Sequence, residues 1–192
     1  MADKQAKLKK ITTGKFRVSF PHVFKAQTTP SGEQRFSVVM LLPKEDKDSV
    51  NKLQSLAKAA AYEKWGKDAV DGKKVKIAWP FRDGEEKSDQ YDGYEGMIFA
   101  SASSKNKPKV VGKNLDVIVD ESEFYPGCYA RASINAYAWE WKGKKGVSFG
   151  LINLQKLAEG EPFGFSSKPE DDFDVVEGED EDYGDTEEGM FG

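Results

Sequence analysis

The sequence predicts a mainly β protein, a small antiparallel barrel with one α-helix inserted after the second strand, followed by a disordered acidic C-terminal tail. Short runs of alternating apolar and polar residues, separated by Gly, Pro and Asp, indicate strands and turns. One stretch, residues 45–65, repeats its apolar residues at helical spacing instead. With 192 residues and 38% hydrophobic content, the chain has the length of one domain with appendages.

The first two strands are predicted from alternation and from the prolines that follow them. Residues 16–20 alternate Phe, Val and Phe with Arg and Ser, and Pro21 is expected to end this strand. Residues 28–32 hold the Thr, Pro, Ser and Gly of a turn. Residues 35–42 form a β-rich run that stops at Pro43, so the two runs are expected to pair as an antiparallel hairpin.

The spacing of apolar residues changes after the second strand and predicts a helix, with short strands after it. Between residues 45 and 65 apolar residues recur every three or four positions, acids lie in the first turn, and Gly66 follows the end. Residues 82–93 are polar and rich in Asp, Glu and Gly, which predicts a long surface loop. Further strands are expected at residues 75–77, 97–103, 110–111 and 115–119.

Residues 129–141 form the longest predicted strand. The Lys and Gly residues of 142–146 predict a turn to a returning strand at 147–155, which makes a β-hairpin. Short strands with a single inserted helix favour a small barrel over a parallel α/β sheet. We therefore expect a flexible basic arm at 1–12, the barrel domain at 13–160, a linker at 161–168 and the acidic tail at 169–192.

Charge is divided unequally between the body and the tail. Residues 169–192 contain 12 Asp or Glu and no Lys or Arg, whereas the other 168 residues hold 29 basic and 21 acidic side chains, a net charge of +8. A basic body favours a polyanion, and the tail resembles one. Nucleic-acid binding is therefore indicated, with a merely solubilising tail as the alternative.

The two faces of the strand 129–141 differ in kind. Side chains alternate between the faces of a strand, and positions 130 to 138 in steps of two are Ala or Ile, which suits a tight barrel interior. The other face carries Tyr129, Arg131, Tyr137, Trp139 and Trp141. Unpaired bases would cover exposed aromatics by stacking, without sequence preference. The alternative is that Tyr137 and Trp139 cap the core or pack under the helix.

Lysines and arginines surround this strand and are interleaved with aromatics, which favours single over double strands because paired bases hide their faces. Any single lysine has the alternative of being a solvated surface charge. The predicted DNA-binding residues are Lys15, Arg17, Arg35, Lys76, Phe81, Arg82, Tyr94, Phe99, Lys105, Lys107, Lys109, Tyr129, Arg131, Tyr137, Trp139, Trp141, Lys142, Lys144 and Lys145.

The acidic tail is predicted to compete with DNA for the basic surface and to dock partner proteins, because aromatics punctuate its acidic run. The predicted docking residues are Asp180, Glu181, Asp182, Tyr183, Glu187, Glu188 and Phe191.

Catalytic and metal chemistry find little support. One cysteine, Cys128, and one histidine, His22, cannot assemble the usual zinc sets, and Cys128 is expected to be inert. Asp116, Asp120, Glu121 and Glu123 are the best acidic cluster, and they leave a metal-dependent nuclease as a minor alternative. No catalytic residue, metal or cofactor is predicted, and no stretch is apolar enough to span a membrane.

Several short motifs, taken in order, resemble one family. They are the segments 17–21, 38–44, 80–84, 107–111, 124–127, 129–133 and 146–155. Together they make the chain similar, over about residues 14–158, to the acidic-tailed OB-fold single-stranded DNA-binding proteins of tailed phages.

This resemblance implies an OB-type five-stranded barrel that coats and protects single-stranded DNA during phage replication and recombination, in the cytoplasm of the infected bacterial host. It also implies docking of the phage DNA polymerase, helicase or primase through the tail. In related proteins the tail commonly ends in an aromatic residue, whereas here Gly192 follows Phe191. A protein-interaction or assembly factor that uses the exposed aromatics is the main alternative, and the oligomeric state stays open.

Overall fold

The computed structural model describes residues 10–164, and these residues form one β-sheet system with two helices. The strands are β1 (Ile11–Thr12), β2 (Phe16–Thr28), β3 (Gln34–Pro43), β4 (Ile77–Ala78), β5 (Phe81–Asp83), β6 (Met97–Ser104), β7 (Lys109–Val111), β8 (Tyr129–Trp141) and β9 (Lys144–Ala158). The helices are α1 (Lys47–Trp65) and α2 (Lys67–Asp71).

Five of these strands close into a barrel in the order β2, β3, β6, β9, β8 and back to β2. Four of the five junctions are antiparallel, and the junction of β6 with β9 is parallel. This is the Greek-key connection of an OB barrel, in which the third strand meets the fifth. The predicted five-stranded barrel is therefore confirmed, with one parallel junction in place of a fully antiparallel ring.

The interior of the barrel is lined by the small face of β8. Ala130, Ala132, Ile134 and Ala136 are each at most 4% exposed, as the alternation predicted. Small side chains on this strand leave room for larger ones from other strands, such as Phe149 at 1% exposure. A tight five-stranded barrel fills its interior in this way with side chains of alternating size.

The hairpin between β8 and β9 turns in two residues. Lys142 and Gly143 have φ values of 47° and 77°, the pair of positive φ angles that a type I′ turn requires. The turn is shorter than the predicted 142–146, and β9 therefore begins at Lys144 and runs to Ala158. Trp141 pairs with Lys144 at the tip of the hairpin.

β2 does not end at Pro21, so that prediction is wrong. The strand continues to Thr28, and its pairing with β3 shifts register between Ser19 and His22. Phe20 lies at this irregularity with a φ of 42°. A bulge tolerates Pro because the extra residue is not part of the ladder.

Helix α1 confirms the predicted helix and closes one side of the core. The Asp46 carboxylate accepts from the Ser49 backbone N–H at 3.2 Å, which caps the first turn. Leu53 and Ala57 are buried on the helix face that joins the barrel core. Gly66, with a φ of 84°, ends the helix.

Two other predicted strands are shorter or absent. Residues 115–119 make only one bridge, between Val117 and Val111, because the preceding turn reverses the chain tightly against β7. Of residues 75–77, only Ile77 lies in a strand, as part of β4. None of the helices within residues 10–164 is long and apolar enough to cross a membrane.

Candidate nucleic-acid interface

A groove of about 470 Å³ lies on the outer surface of the barrel where β3, β6, β8 and β9 meet. It brings together the predicted DNA-binding residues Arg35, Lys105, Lys107 and Tyr137. Its remaining lining residues are Ser103, Ser104, Asn106, Asn135, Gly150, Leu151 and Ile152. We call this surface the main groove.

Gly150 of β9 lies on the floor of the main groove and brings the strands close together there. Gly150 pairs with Asn135 across the hairpin, and a Cβ on Gly150 would lie 2.1 Å from Asn135 Oδ1. Ser103 of β6 pairs with Gly150 on the other side. Such close packing leaves an open trough with amide and hydroxyl groups on its floor.

Cations line one end of the main groove and are held by an exposed carboxylate. Arg35 Nε lies 3.3 Å from Glu33 Oε2, and Lys105 Nζ lies 3.6 Å from Glu33 Oε1. The hydrogen bond from Arg35, and then the charge of Lys105, lower the pKa of Glu33. Exposed pairs of this kind contribute little stability, so a phosphate can replace Glu33 at small cost.

The aromatic residues of β8 form a row beside this groove. Tyr137 is 36% and Trp141 63% exposed. Trp139 is half-buried, its Nε1 donates to Ser148 Oγ at 3.0 Å, and its ring covers Gly146. Trp139 is therefore held flat against β9, which partly fits the alternative that it packs on the protein.

The hairpin tip adds further cations next to this row. Lys142 Nζ lies 4.4 Å from the centroid of the Trp141 ring. Lys145 is 3.9 Å from Glu140, and Lys144 is exposed. Lys76 is exposed just before β4, which pairs with β9 at Lys145.

A second group of predicted residues lies at the other end of β8. Lys15 and Arg17 approach the Tyr129 ring at 5.4 and 5.8 Å. Tyr129 and Tyr137 are eight residues apart on one strand, or about 26 Å. The structure thus places the predicted residues in separate groups and not in one continuous groove.

The guanidinium group of Arg17, in this second group, contacts other parts of the chain. Its Nε donates to Gly127 O at 3.1 Å and its NH2 to Glu161 O at 2.6 Å. The guanidinium carbon lies 4.1 Å from the centroid of the Phe163 ring. The first residues of the predicted linker therefore pack on the barrel, and Arg17 is not free for a phosphate in this arrangement.

The residues around β5 and β6 correct part of the predicted set. Tyr94 is 3% exposed, and its hydroxyl hydrogen-bonds to Ser19 Oγ at 3.0 Å. Burial raises the pKa of Tyr94. The expectation of a DNA-facing Tyr94 is wrong because the loop at 84–96 folds over the barrel and carries the ring inward.

Phe81, Arg82 and Phe99 lie near this loop, apart from the main groove. Phe81 is half-buried against the core and stacks on Trp79 at 5.9 Å. Arg82 pairs with Glu86 and lies 5.6 Å from the Phe99 ring. These three side chains therefore make their contacts with other residues of the protein.

The last two predicted residues are exposed elsewhere on the barrel. Arg131 Nε donates to Gln155 Oε1 at 2.7 Å across the β8–β9 pair. Lys109 is exposed on β7. Sequence reasoning missed Asn135 and Ser103 in the main groove, although the alternation along β8 would have placed Asn135 on the same face as Tyr137.

The sequence offered Cys128 and the acidic cluster at 116–123 as the candidates for nucleophilic or metal chemistry. No cluster of three His, Cys, Asp or Glu side chains that could hold a metal occurs among residues 10–164. Within the acidic cluster, Asp120 accepts from the Ser122 N–H at 2.8 Å and Glu121 pairs with Lys25. Cys128 is fully buried, which raises the pKa of its thiol.

The closed five-stranded barrel, with its parallel β6–β9 junction, defines an OB-type protein. The chain belongs to the family of the single-stranded DNA-binding protein of Enterobacter phage Enc34, whose family model matches residues 9–184. Members of this family are binding proteins and not enzymes.

A similar phage protein matches most of the chain. The chain is 31% identical over 181 residues to putative protein p50 of Acyrthosiphon pisum secondary endosymbiont phage 1, covering 88% of this chain and 97% of that protein.

Solved structures share the fold. The single-stranded DNA-binding protein of bacteriophage Enc34 in complex with ssDNA has a TM-score of 0.66 at 24% identity, over 82% of this chain and 91% of that chain. The gp2.5 single-stranded DNA-binding protein of bacteriophage T7 has a TM-score of 0.57 at 14% identity, over 89% and 97%.

Proposed function

We propose that the chain binds single-stranded DNA without sequence preference, through the main groove and the aromatic row of β8. The observation that carries this proposal is the meeting of Arg35, Lys105 and Lys107 with Tyr137 around a low, polar floor. Cations beside an exposed ring offer a phosphate partner and a stacking partner within one site.

In this proposal bases stack on Tyr137 and Trp141, while the lysines and Arg35 contact the backbone. Each stacked base contributes on the order of 1–3 kcal/mol. Each neutralised phosphate releases counterions, so the logarithm of the binding constant falls with log salt by about 0.7 per contact. Asn135 and Ser103 supply hydrogen-bonding groups on the floor of the groove.

The proposal extends to the acidic tail, residues 169–192, which lies outside the described residues. The chain reaches it through Phe163, packed on Arg17, and Arg17 pairs with Leu41 on β3. Arg35 lies six residues further along β3, or about 20 Å away. A tethered polyanion that starts this close would compete with DNA for the main groove.

The proposed role in the phage life cycle rests on single-stranded DNA binding. A protein that coats and protects single strands would act in phage DNA replication and recombination, in the cytoplasm of the infected host. The tail residues 180–188 and Phe191 would then dock the phage polymerase, helicase or primase, with 13–160 as the DNA-binding domain and 161–168 as its link to the tail.

Binding measurements on matched variants test the groove. Tyr137→Ala and Lys105→Glu should each weaken binding of a single-stranded oligonucleotide, by roughly 1–3 kcal/mol for the lost stacking. Lys58→Glu makes the same charge change as Lys105→Glu on the exposed side of α1 and should leave affinity nearly unchanged. Equal losses for both lysine variants would refute the groove and leave only a net-charge effect.

A further inference from the structure

Residues 159–164 follow β9 and pack on the surface of the barrel, and we call them the strap. The Phe163 N–H donates to Pro126 O at 3.0 Å. Glu161 O accepts from NH2 of Arg17 at 2.6 Å. The strap is therefore attached to the barrel by hydrogen bonds of its backbone at two positions.

The ring of Phe163 has a defined seat on Arg17 and Gly93. The guanidinium carbon of Arg17 lies 4.1 Å from the centroid of the ring. Gly93 has a φ of 82°, and a Cβ on it would lie 2.4 Å from two carbons of the same ring. The guanidinium group and the bare glycine backbone thus form a seat for a flat aromatic group.

The strap gives Arg17 the two kinds of contact that a nucleotide gives an arginine. A nucleobase stacks on a guanidinium group, as the Phe163 ring does here. A phosphate oxygen accepts from an arginine N–H, as Glu161 O does. The third contact of Arg17, from Nε to Gly127 O at 3.1 Å, belongs to the barrel and would hold the guanidinium group in place without the strap.

Lys15 and Tyr129 complete the surroundings of Arg17. Lys15 is exposed, and its Nζ lies 5.4 Å from the centroid of the Tyr129 ring, with the Arg17 guanidinium carbon at 5.8 Å. A Cβ on Gly160 would lie 3.0 Å from Tyr129 Cε2, so the strap also lies against this ring. Two cations beside an aromatic ring are the chemistry that binds an unpaired nucleotide.

We propose that Lys15, Arg17 and Tyr129 form a second contact site for single-stranded DNA, which the strap covers until a nucleotide displaces it. This second site rests on the proposed function, because Tyr129 is about 26 Å from Tyr137 along β8 and a strand held in the main groove would have to reach it. Such a strand is present at high effective concentration. A charged phosphate also bonds an arginine more strongly than a neutral carbonyl does, which favours the exchange.

Displacement of the strap makes the response of the protein depend on the length of the bound DNA. An oligonucleotide confined to the main groove leaves the strap on Arg17, whereas one that spans both sites removes it. The acidic tail, residues 169–192, follows the strap in the chain. A longer strand therefore also frees the point at which the tail is tethered to the barrel.

The Phe163 amide reports displacement of the strap directly, because its hydrogen bond to Pro126 breaks when the strap leaves. Its protection factor in the full chain should fall at least about tenfold when an oligonucleotide of about 16 nucleotides is bound, near the upper end of OB-fold site sizes. An oligonucleotide of about 4 nucleotides, at the same occupancy of the main groove, should leave it unchanged. The Gly127 amide, which donates to Val18 O, is the control within the barrel.

Arg17→Gln tests whether the second site contacts a phosphate. The variant should lower the salt slope of binding by about 0.7 with the longer oligonucleotide and leave it unchanged with the shorter one, a difference that a merely structural role of Arg17 would not produce. Arg82→Gln removes the same charge from a residue that pairs with Glu86, and it should leave both slopes unchanged.

Phe163→Ala tests the cover itself. Because the ring no longer has to be displaced, the variant should bind the longer oligonucleotide several-fold more tightly and the shorter one as the native chain does. Full protection of the Phe163 amide with the longer oligonucleotide bound, or a native salt slope in Arg17→Gln, would overturn the second site while the main groove stands. Failure of the full chain to bind either oligonucleotide would instead reject the proposed function.

Discussion

Trp139 and Gly146 form a matched pair of residues on the β8–β9 hairpin. The indole ring covers the glycine so closely that a Cβ there would lie 2.2 Å from Trp139 Cζ2. An aromatic side chain laid over a cross-strand glycine pins the register of the two strands. This pairing explains why a residue that the alternation places on the outer face is only half exposed.

Gly146→Ala is expected to destabilise the protein because it displaces the Trp139 ring. Overpacking of this kind costs typically 1–3 kcal/mol, measurable by chemical denaturation. The matched test is a double-mutant cycle with Trp139→Ala, in which removal of the ring should make Gly146→Ala nearly neutral. If the alanine is equally costly without the ring, contact with Trp139 is not the cause.

Arg17 shows how one residue changes role with its tertiary partners. Its alternation and charge suit a DNA contact, but its guanidinium carries hydrogen bonds to Gly127 and Glu161 and a stacked Phe163. These partners lie 110 and 144 positions away in sequence for the two hydrogen bonds. We therefore propose that Arg17 holds the start of the linker on the barrel. Arg35 is the arginine that binds DNA in the main groove.

The Glu85 carboxylate is one of the groups that hold the loop 84–96 onto the barrel. Glu85 Oε1 accepts from the Gly96 N–H at 2.8 Å and lies 3.4 Å from Lys44 Nζ. The Gly96 amide, and then Lys44, lower the pKa of Glu85 below its ordinary value of 4.5. Glu85 thus joins the two ends of the loop to each other and to Lys44 at the end of β3.

Acid is expected to loosen this loop before the barrel unfolds. A lowered pKa means that the stabilisation is fully present above about 4.5 and is lost as pH falls through the folded-state pKa. The protection factor of the Gly96 amide, which is its NMR exchange rate corrected for the intrinsic pH dependence of amide exchange, should decrease over that fall. The Gly127 amide, which donates to Val18 O, serves as the control within the barrel.

Glu85→Gln completes this test. The glutamine keeps an acceptor oxygen but loses the charge, so the Gly96 amide should already be less protected at neutral pH and the acid-dependent change should be lost. Unaltered Gly96 exchange in the variant would contradict the role given to Glu85.

At the scale of the whole molecule, a body of net charge +8 is joined to a tail with 12 acidic residues. If the tail competes for the main groove, a chain ending at Lys168 should bind single strands more tightly than the full chain. The advantage should shrink in high salt, since the Debye length falls to about 3 Å at 1 M. Titrations at two salt concentrations measure both effects.

A scrambled tail of the same composition is the control for this prediction. It should compete as well as the native tail if the effect is electrostatic, and it should lose partner docking if the order of residues 180–191 matters. Equal affinity of the full and shortened chains at low salt would reject the competition.

Features that depend on local pattern could be predicted before the fold was known. Alternation of side chains along one strand assigned the buried alanines and the outward aromatics of β8, and helical spacing placed α1. Composition alone revealed the opposed charges of body and tail. The motif order identified the family that the comparisons confirmed.

Which outward residues face a common groove depends on how the barrel closes. Closure of the barrel brings Arg35, Lys105 and Tyr137 together although they lie on β3, after β6 and on β8. Packing of the loop 84–96 buries Tyr94, and the linker covers Arg17. The physical reason is that alternation specifies the face of a side chain, whereas its neighbours depend on pairings between strands that are distant in the chain.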